Sequence, residues 1–329
     1  LVFATLVAEN GALAGQLGGR SNLIINGSMQ VWQRGTSFTA GSTTTYTTDR
    51  WGAREAAVSR STDVPADQRF NYSLFYDNDG TRTDLNFRQI IEGGKVLLEN
   101  RPVTLSFWLK SSVNTTISVD WSETNTTNVD VTTSWEHYVV SFPASAINPG
   151  GTFFGGAAWI DFNFGGNYPD IYITGVKLEL GSVATPFEHR SYGEELALCQ
   201  RYYTYWPRGK GTAIPMFSTT ATLASTRITL AGPVMRATPI VELHGQAAWS
   251  GSSPLVINQN GTFGAFSNGS WKVLNAQEAS EGTSDPSVRF DANFDTVANA
   301  ASGLYFYPEA NSTPGDSGFA GFSLDAEFY

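Results

Sequence analysis

From Asn22 onward the chain is a succession of short apolar runs in which hydrophobic and polar residues alternate, separated by clusters of turn residues. VTLSFWLK, ISVDW, WEHYVVSF, AAWIDFNF and DIYITGVKLEL recur between turn clusters such as NDG, NPGG and GGNYPD. Runs of this length with a two-residue period predict strands, and their spacing predicts an all-β domain. Within VTLSFWLK the alternation puts Val103, Leu105, Phe107 and Leu109 on one face and Ser106, Trp108 and Lys110 on the other. One face packs a core, and the other carries a tryptophan that a core does not explain.

Only one segment breaks this period. Ser191 followed by Glu194 has the spacing of a capping box, and Leu196, Cys199, Tyr203 and Trp206 then fall at helical intervals. A short amphipathic helix over 191–206 is expected, ended by Pro207 and the glycines that follow. Beyond it, ATLASTRITL, TPIVELHG, SVRFDANF, SGLYFYPEA and FAGFSLDAEFY again read as strands. The predicted organisation is an N-terminal connector over 1–21, a β-sandwich over 22–190, a linking helix over 191–206 and a C-terminal β-sandwich over 207–329. Two domains suit a length of 329 residues.

Charged residues make up 15% of the chain, against roughly 25% in ordinary soluble proteins, which suits packed aromatic and β-branched faces. The net charge of -10, without a cluster of Lys or Arg, excludes nucleic acid as a partner. Membrane insertion is not expected, because Leu1 to Ala8 is far shorter than the roughly 20 residues of a spanning helix. That run also lacks the basic flank of a signal peptide, although a chain starting at Leu1 leaves open a preceding segment. Cys199 is the single cysteine, so no internal disulfide framework exists.

Catalytic signatures are missing from the sequence. His137, His189 and His244 lie in separate segments, without an HExxH, a paired-Cys metal pattern, a G-x-S-x-G elbow or a phosphate-cradling glycine loop. No catalytic residue is therefore expected. Asp77 to Gly80 has some features of a calcium loop, but Arg88 occupies the position of the bidentate Glu, so a hairpin turn is the better reading.

Sugar binding needs an aromatic face for the C–H side of a pyranose and amide or carboxylate groups for its hydroxyls. Trp121 with Glu123 and Asn125, Trp159 with Asp161 and Asn163, and Tyr168 with Asn167 and Asp170 have that composition. So do Trp249, and Trp271 beside Asn268. Each also reads as a core or interface aromatic. Trp32, Trp51, Trp108 and Trp135 read as structural. For Leu196, Cys199, Tyr203 and Trp206, two placements stay open: docking on their own sandwich, or meeting their copies on a symmetry axis.

Five motifs carry a family resemblance: NLIINGSMQVWQRGTSF (Asn22 to Phe38), YTTDRW (Tyr46 to Trp51), RPVTLSFWLK (Arg101 to Lys110), VKLELGSVATPFE (Val176 to Glu188) and ATPFEHRSYGEELALCQRYY (Ala184 to Tyr203). In this order they resemble the carbohydrate-binding-module-like proteins of bacteriophage tail fibres, over roughly Asn22 to Tyr203. The resemblance implies a jelly-roll domain in a phage tail or capsid appendage, a virion location, and a homotrimer attached to other virion proteins through the connector. It also implies adsorption to host surface polysaccharide without catalysis. Such modules often carry a structural Ca2+, which the sequence does not place; no other cofactor is implied. Two alternatives stay open: an architectural virion protein such as a head fibre or tail spacer, or a carbohydrate-binding module of a secreted polysaccharide-degrading enzyme.

Overall fold

The structure, a computed structural model, describes residues 22–55, 57–77, 86–122, 125–145, 158–164, 169–206, 214–216, 222–231, 235–236, 240–244, 261–267, 270–281, 287–299, 304–308 and 321–327. The chain divides into two units, the break falling after Cys199.

In the first unit the strands are β1 (Ser37–Thr39), β2 (Thr45–Tyr46), β3 (Gly52–Ala53), β4 (Ala57–Ser61), β5 (Ser73–Asp77) and β6 (Asn86–Ile91). The short helix α1 (Gly94–Leu98) follows, then β7 (Val103–Ser111), β8 (Thr115–Trp121), β9 (Asn125–Val131), β10 (Glu136–Phe142), β11 (Ala158–Asn163), β12 (Ile171–Leu180) and helix α2 (Tyr192–Gln200). They form two six-stranded antiparallel sheets: sheet 1 in the order β1-β4-β5-β12-β7-β10 and sheet 2 in the order β2-β3-β6-β11-β8-β9. The eight consecutive strands β5 to β12 are distributed between the sheets as β5-β12-β7-β10 and β6-β11-β8-β9, the double Greek key of a jelly roll. The remaining strands extend one side of each sheet.

The core lies between the sheets. Val103, Leu105, Phe107 and Leu109 are 0% exposed, as their alternation predicts. Phe107 of sheet 1 meets Phe162 of sheet 2 edge to face at 5.0 Å, and Trp51 stacks on Phe87 at 4.5 Å. The motif NLIING is structural: the buried Asn26 side chain accepts from the amides of Gln30 and Val31 and donates to Val31 O, Thr48 Oγ1 and Asp49 O. The Trp51 indole donates to Asn26 O at 3.2 Å.

The helix is shorter than its spacing predicts. Its start is the expected capping box, with Glu194 N donating to Ser191 Oγ and Ser191 N donating to the Glu194 carboxylate. It ends at Gln200, and Tyr203 to Trp206 form a strand. Three aromatic residues and a threonine in four positions favour a pleated strand over a further helical turn. The expected stripe is therefore not a single helical face. Leu196 is half-buried, while Cys199 and Tyr203 are already 0% and 5% exposed within one chain and have no free surface to offer a second copy. Trp206 ends the strand.

The second unit is also antiparallel. Its strands are β13 (Tyr203–Trp206), β14 (Ile214–Met216), β15 (Thr222–Ala231), β16 (Ile240–His244), β17 (Gly261–Ser267), β18 (Ser270–Glu281), β19 (Ser287–Asn299), β20 (Leu304–Pro308) and β21 (Gly321–Asp325). They form a three-stranded sheet, β13-β21-β16, and a six-stranded sheet, β14-β20-β17-β18-β19-β15. Arg236 closes the three-stranded sheet, its guanidinium donating to Ala326 O at 2.8 Å and Glu327 O at 3.0 Å. The all-β class expected from the strand pattern holds throughout.

Candidate functional site

Two of the aromatic residues expected to face sugar do not. Trp121 shares the inward parity of Ile117 and Val119 on β8, is 1% exposed and stacks near Phe142 at 6.4 Å. Trp159 lies on β11 between the core residues Ala158 and Ile160 but is itself 3% exposed, so neither ring offers a face to a ligand. Asn167, Tyr168 and Trp249 lie outside the described residues, as does the turn after Asp77. Trp271 sits on β18 opposite Phe266, and its side chain is outside the described residues.

A group of half-buried aromatics lies on the outer face of sheet 1. On β7, Trp108 and Lys110 point away from the core residues Phe107 and Leu109 and are half-buried. Antiparallel register sets Lys110 opposite Tyr172 of β12, and Tyr172 opposite Phe75 of β5. The rings of Phe75 and Tyr172 are 4.6 Å apart. Trp135, just before β10, meets Tyr172 edge to face at 6.4 Å, and the Lys110 ammonium lies 4.6 Å from the Tyr172 ring centre and 5.7 Å from that of Trp135. One row further along, His137 of β10 pairs with Trp108, their rings 5.2 Å apart.

Asp63, from the connection between β4 and β5, ties this row together. Its carboxylate accepts from the Trp135 indole at 2.9 Å and forms an ion pair with Lys110. Burial pushes its pKa up, but hydrogen bonds from Lys110 and Trp135 and the Lys110 charge outweigh burial and hold the carboxyl below its ordinary value. Burial first, then the negative charges of Asp63, Asp170 and Asp77, push the Tyr172 phenol up, so it stays an O–H donor. Burial lowers His137, which favours the neutral imidazole.

A bulge in β12 extends the strip. Between Thr174 and Lys177 the register against β7 shifts by one residue, with Gly175 at φ +63°. A Cβ there would lie 2.6 Å from Phe70 and 3.0 Å from Trp108. Only glycine lets those two rings close over the backbone. Phe70 in turn meets Phe187 at 5.1 Å and His189 at 4.9 Å. Rings thus recur along this side of sheet 1, from Phe75 and Tyr172 past Trp108 to the largely buried Phe70.

The sequence reading took Trp108 and Trp135 as structural and did not identify Phe75, Tyr172, Lys110 or Asp63. Alternation alone exposes Trp108 and Lys110, but aligning them with Tyr172 and Phe75 needs the strand register. Among the described residues no group of three or more His, Cys, Asp or Glu could hold a metal ion, and no helix is long and apolar enough to cross a membrane.

No family model matches the chain, and no curated protein matches it. Solved structures similar to it include the enzymatically active domain of tailspike protein 4 of bacteriophage CBA120, at 20% identity over 49% of this chain and 22% of that one, TM-score 0.33. Another is the CBM22-1 xylan-binding domain of Xyn10C from Paenibacillus barcinonensis, at 14% identity over 45% of this chain and 94% of that one, TM-score 0.29. A third is TmCBM61 in complex with β-1,4-galactotriose, at 15% identity over 40% and 88%, TM-score 0.28. The chain thus spans about a fifth of the tailspike domain's length.

Proposed function

We propose that the jelly-roll unit binds polysaccharide without chemistry, using the outer face of sheet 1. The observation that carries this reading is the row of half-buried rings, Phe75 and Tyr172 aligned by strand register with Trp135 packed against Tyr172, beside an ion-paired carboxylate. The core is filled by other residues, so these rings are not needed to fill it. Ring faces take the C–H side of a sugar, while Asp63, Lys110 and the Tyr172 hydroxyl are placed for its hydroxyl groups. Hydrolysis of a glycosidic bond calls for a carboxyl whose pKa is raised to act as an acid. Asp63 is shifted the other way, which favours binding alone.

The resemblance of the motifs over 22–203 to phage proteins supports a finer version. The chain is then a virion fibre or spike protein, and several copies multiply weak contacts into avidity for a host surface. A homotrimer is the arrangement proposed for it.

A glycan array and adsorption to host cells test the reading. Wild-type protein binds, while Trp135→Ala and Tyr172→Ala each lose binding with the melting temperature almost unchanged. A blank array, with adsorption indifferent to both substitutions, would leave a purely architectural role.

A further inference from the structure

At the Phe70 end of the aromatic strip the surface sinks into a cavity of about 210 Å³, whose lining includes Gln30, Arg69, Phe70, Asn71, His189 and Arg190. This is below the roughly 300–1,000 Å³ of drug-sized pockets, a size for one sugar ring rather than a chain. Its lining contains no carboxylate, although the whole chain carries a net charge of -10.

The two arginines differ in what they already hold. Arg190 donates to Ile24 O and Asn22 O and is paired with the buried Glu195 at 3.1 Å, so its charge is matched inside the fold. Arg69 makes no hydrogen bond or ion pair to any described residue and is exposed. It stands in the left-handed region, φ 58°, immediately before Phe70. The pocket therefore has an aromatic wall from Phe70, an unmatched guanidinium, and amide groups from Gln30 and Asn71. A planar fork of N–H donors with no internal acceptor is suited to a carboxylate, which it can bind through two parallel hydrogen bonds. The strip behind it is different, because Lys110 is already neutralised by Asp63.

We propose that this pocket receives the carboxylate of an acidic sugar unit, of the uronic acid class, while neighbouring units of the same polysaccharide lie along the Trp108 and Tyr172 strip. The proposal rests on the glycan-binding reading and narrows it to acidic polysaccharides. Arg69 is the specificity-determining residue, and the largely buried Phe70 lines the pocket beside the acidic unit.

The test is an array carrying carboxylated, sulfated and neutral glycans, probed with the full chain as wild type, Arg69→Asn, Arg69→Lys and Tyr172→Ala. Asn tolerates the left-handed backbone, so Arg69→Asn keeps the fold, as its melting temperature verifies. Carboxylated glycans are expected to bind best, with Arg69→Asn losing at least tenfold on them, Arg69→Lys keeping part of the affinity, and methyl esterification of the glycan reproducing the loss. Tyr172→Ala weakens binding of every class several-fold. Preference for neutral or sulfated glycans, or affinity for carboxylated ones that ignores Arg69, overturns the pocket assignment while leaving the strip intact. An array blank in all classes overturns both.

Discussion

Parity on a strand does not by itself decide whether a tryptophan of this protein is buried: Trp121 is covered at an inward position of β8, and Trp159 is covered although its neighbours Ala158 and Ile160 hold the core positions of β11. Trp51 and Trp121 are buried, whereas Trp108 and Trp135 keep part of their surface. Replacing Trp51 or Trp121 by alanine should cost about 3–5 kcal/mol in denaturant unfolding. Trp135→Ala should cost far less, because its ring fills no core space. Gly175→Ala should do damage of another kind: the added methyl collides with Phe70 and Trp108 at a left-handed position, so stability should fall by more than about 1 kcal/mol and glycan binding with it. Asp63 supplies a pH signature. Its folded pKa lies below its ordinary value of 3.8, so its contribution to stability is present above that value and is lost as the pH falls through the lower folded value. Asp63→Asn should remove this acid-side step from a stability-against-pH curve by lowering stability across the neutral region to the acid-side level, a small drop since the carboxylate is partly exposed.

Strand β12 organises both the fold and the candidate site. Ile171 and Ile173 face the core, the bulge at Gly175 inserts one residue, and Val176 and Leu178 then resume the inward face. The interruption of alternation at TGV is visible in the sequence, but only the partner register reveals that it brings Trp108 and Phe70 together. The same bulge sends Lys177 outward, where it is covered, donates to Pro186 O at 3.0 Å and pairs with Glu179 at 3.3 Å, both side chains nearly inaccessible. Glu179 in turn accepts from Thr185 N and Oγ1 at 2.7 Å, anchoring the TPFE segment to the sheet. Lys177→Met leaves a buried carboxylate unmatched and should cost about 3–5 kcal/mol. In α2, Ser191→Ala should cost about 1 kcal/mol through loss of the cap. The strands and the capping box were legible because they obey local rules of alternation and spacing. The end of the helix was not, because Leu196, Cys199, Tyr203 and Trp206 fit a helical period, while the β-propensity of Tyr203 to Trp206 and their pairing with β21 won beyond Gln200. The site was legible only in part: composition singled out Trp121 as a sugar-facing ring and passed over Trp135 as structural, and burial separates the two.

For the molecule as a whole, the division of labour is between a jelly-roll unit that carries the aromatic strip and a second antiparallel unit attached to it in sequence after Cys199. The proposed trimer predicts three times the chain mass in light scattering at micromolar concentration; a persistent monomer would remove the avidity on which weak single sites depend. Because Cys199 and Tyr203 are covered within one chain, Leu196→Asp is the better interface probe and should dissociate a trimer built on α2. Each stacked ring contributes about 0.5–1.5 kcal/mol beyond the area it buries, so two rings together account for about tenfold or more in affinity. Calorimetric titration of the full chain with a glycan that it binds, as wild type and as the Trp135→Ala, Tyr172→Ala double variant, tests the role of the strip most directly. The outer face of sheet 1 as binding surface predicts at least a tenfold rise in Kd with an unchanged melting temperature; an unchanged Kd in a folded double variant would contradict it.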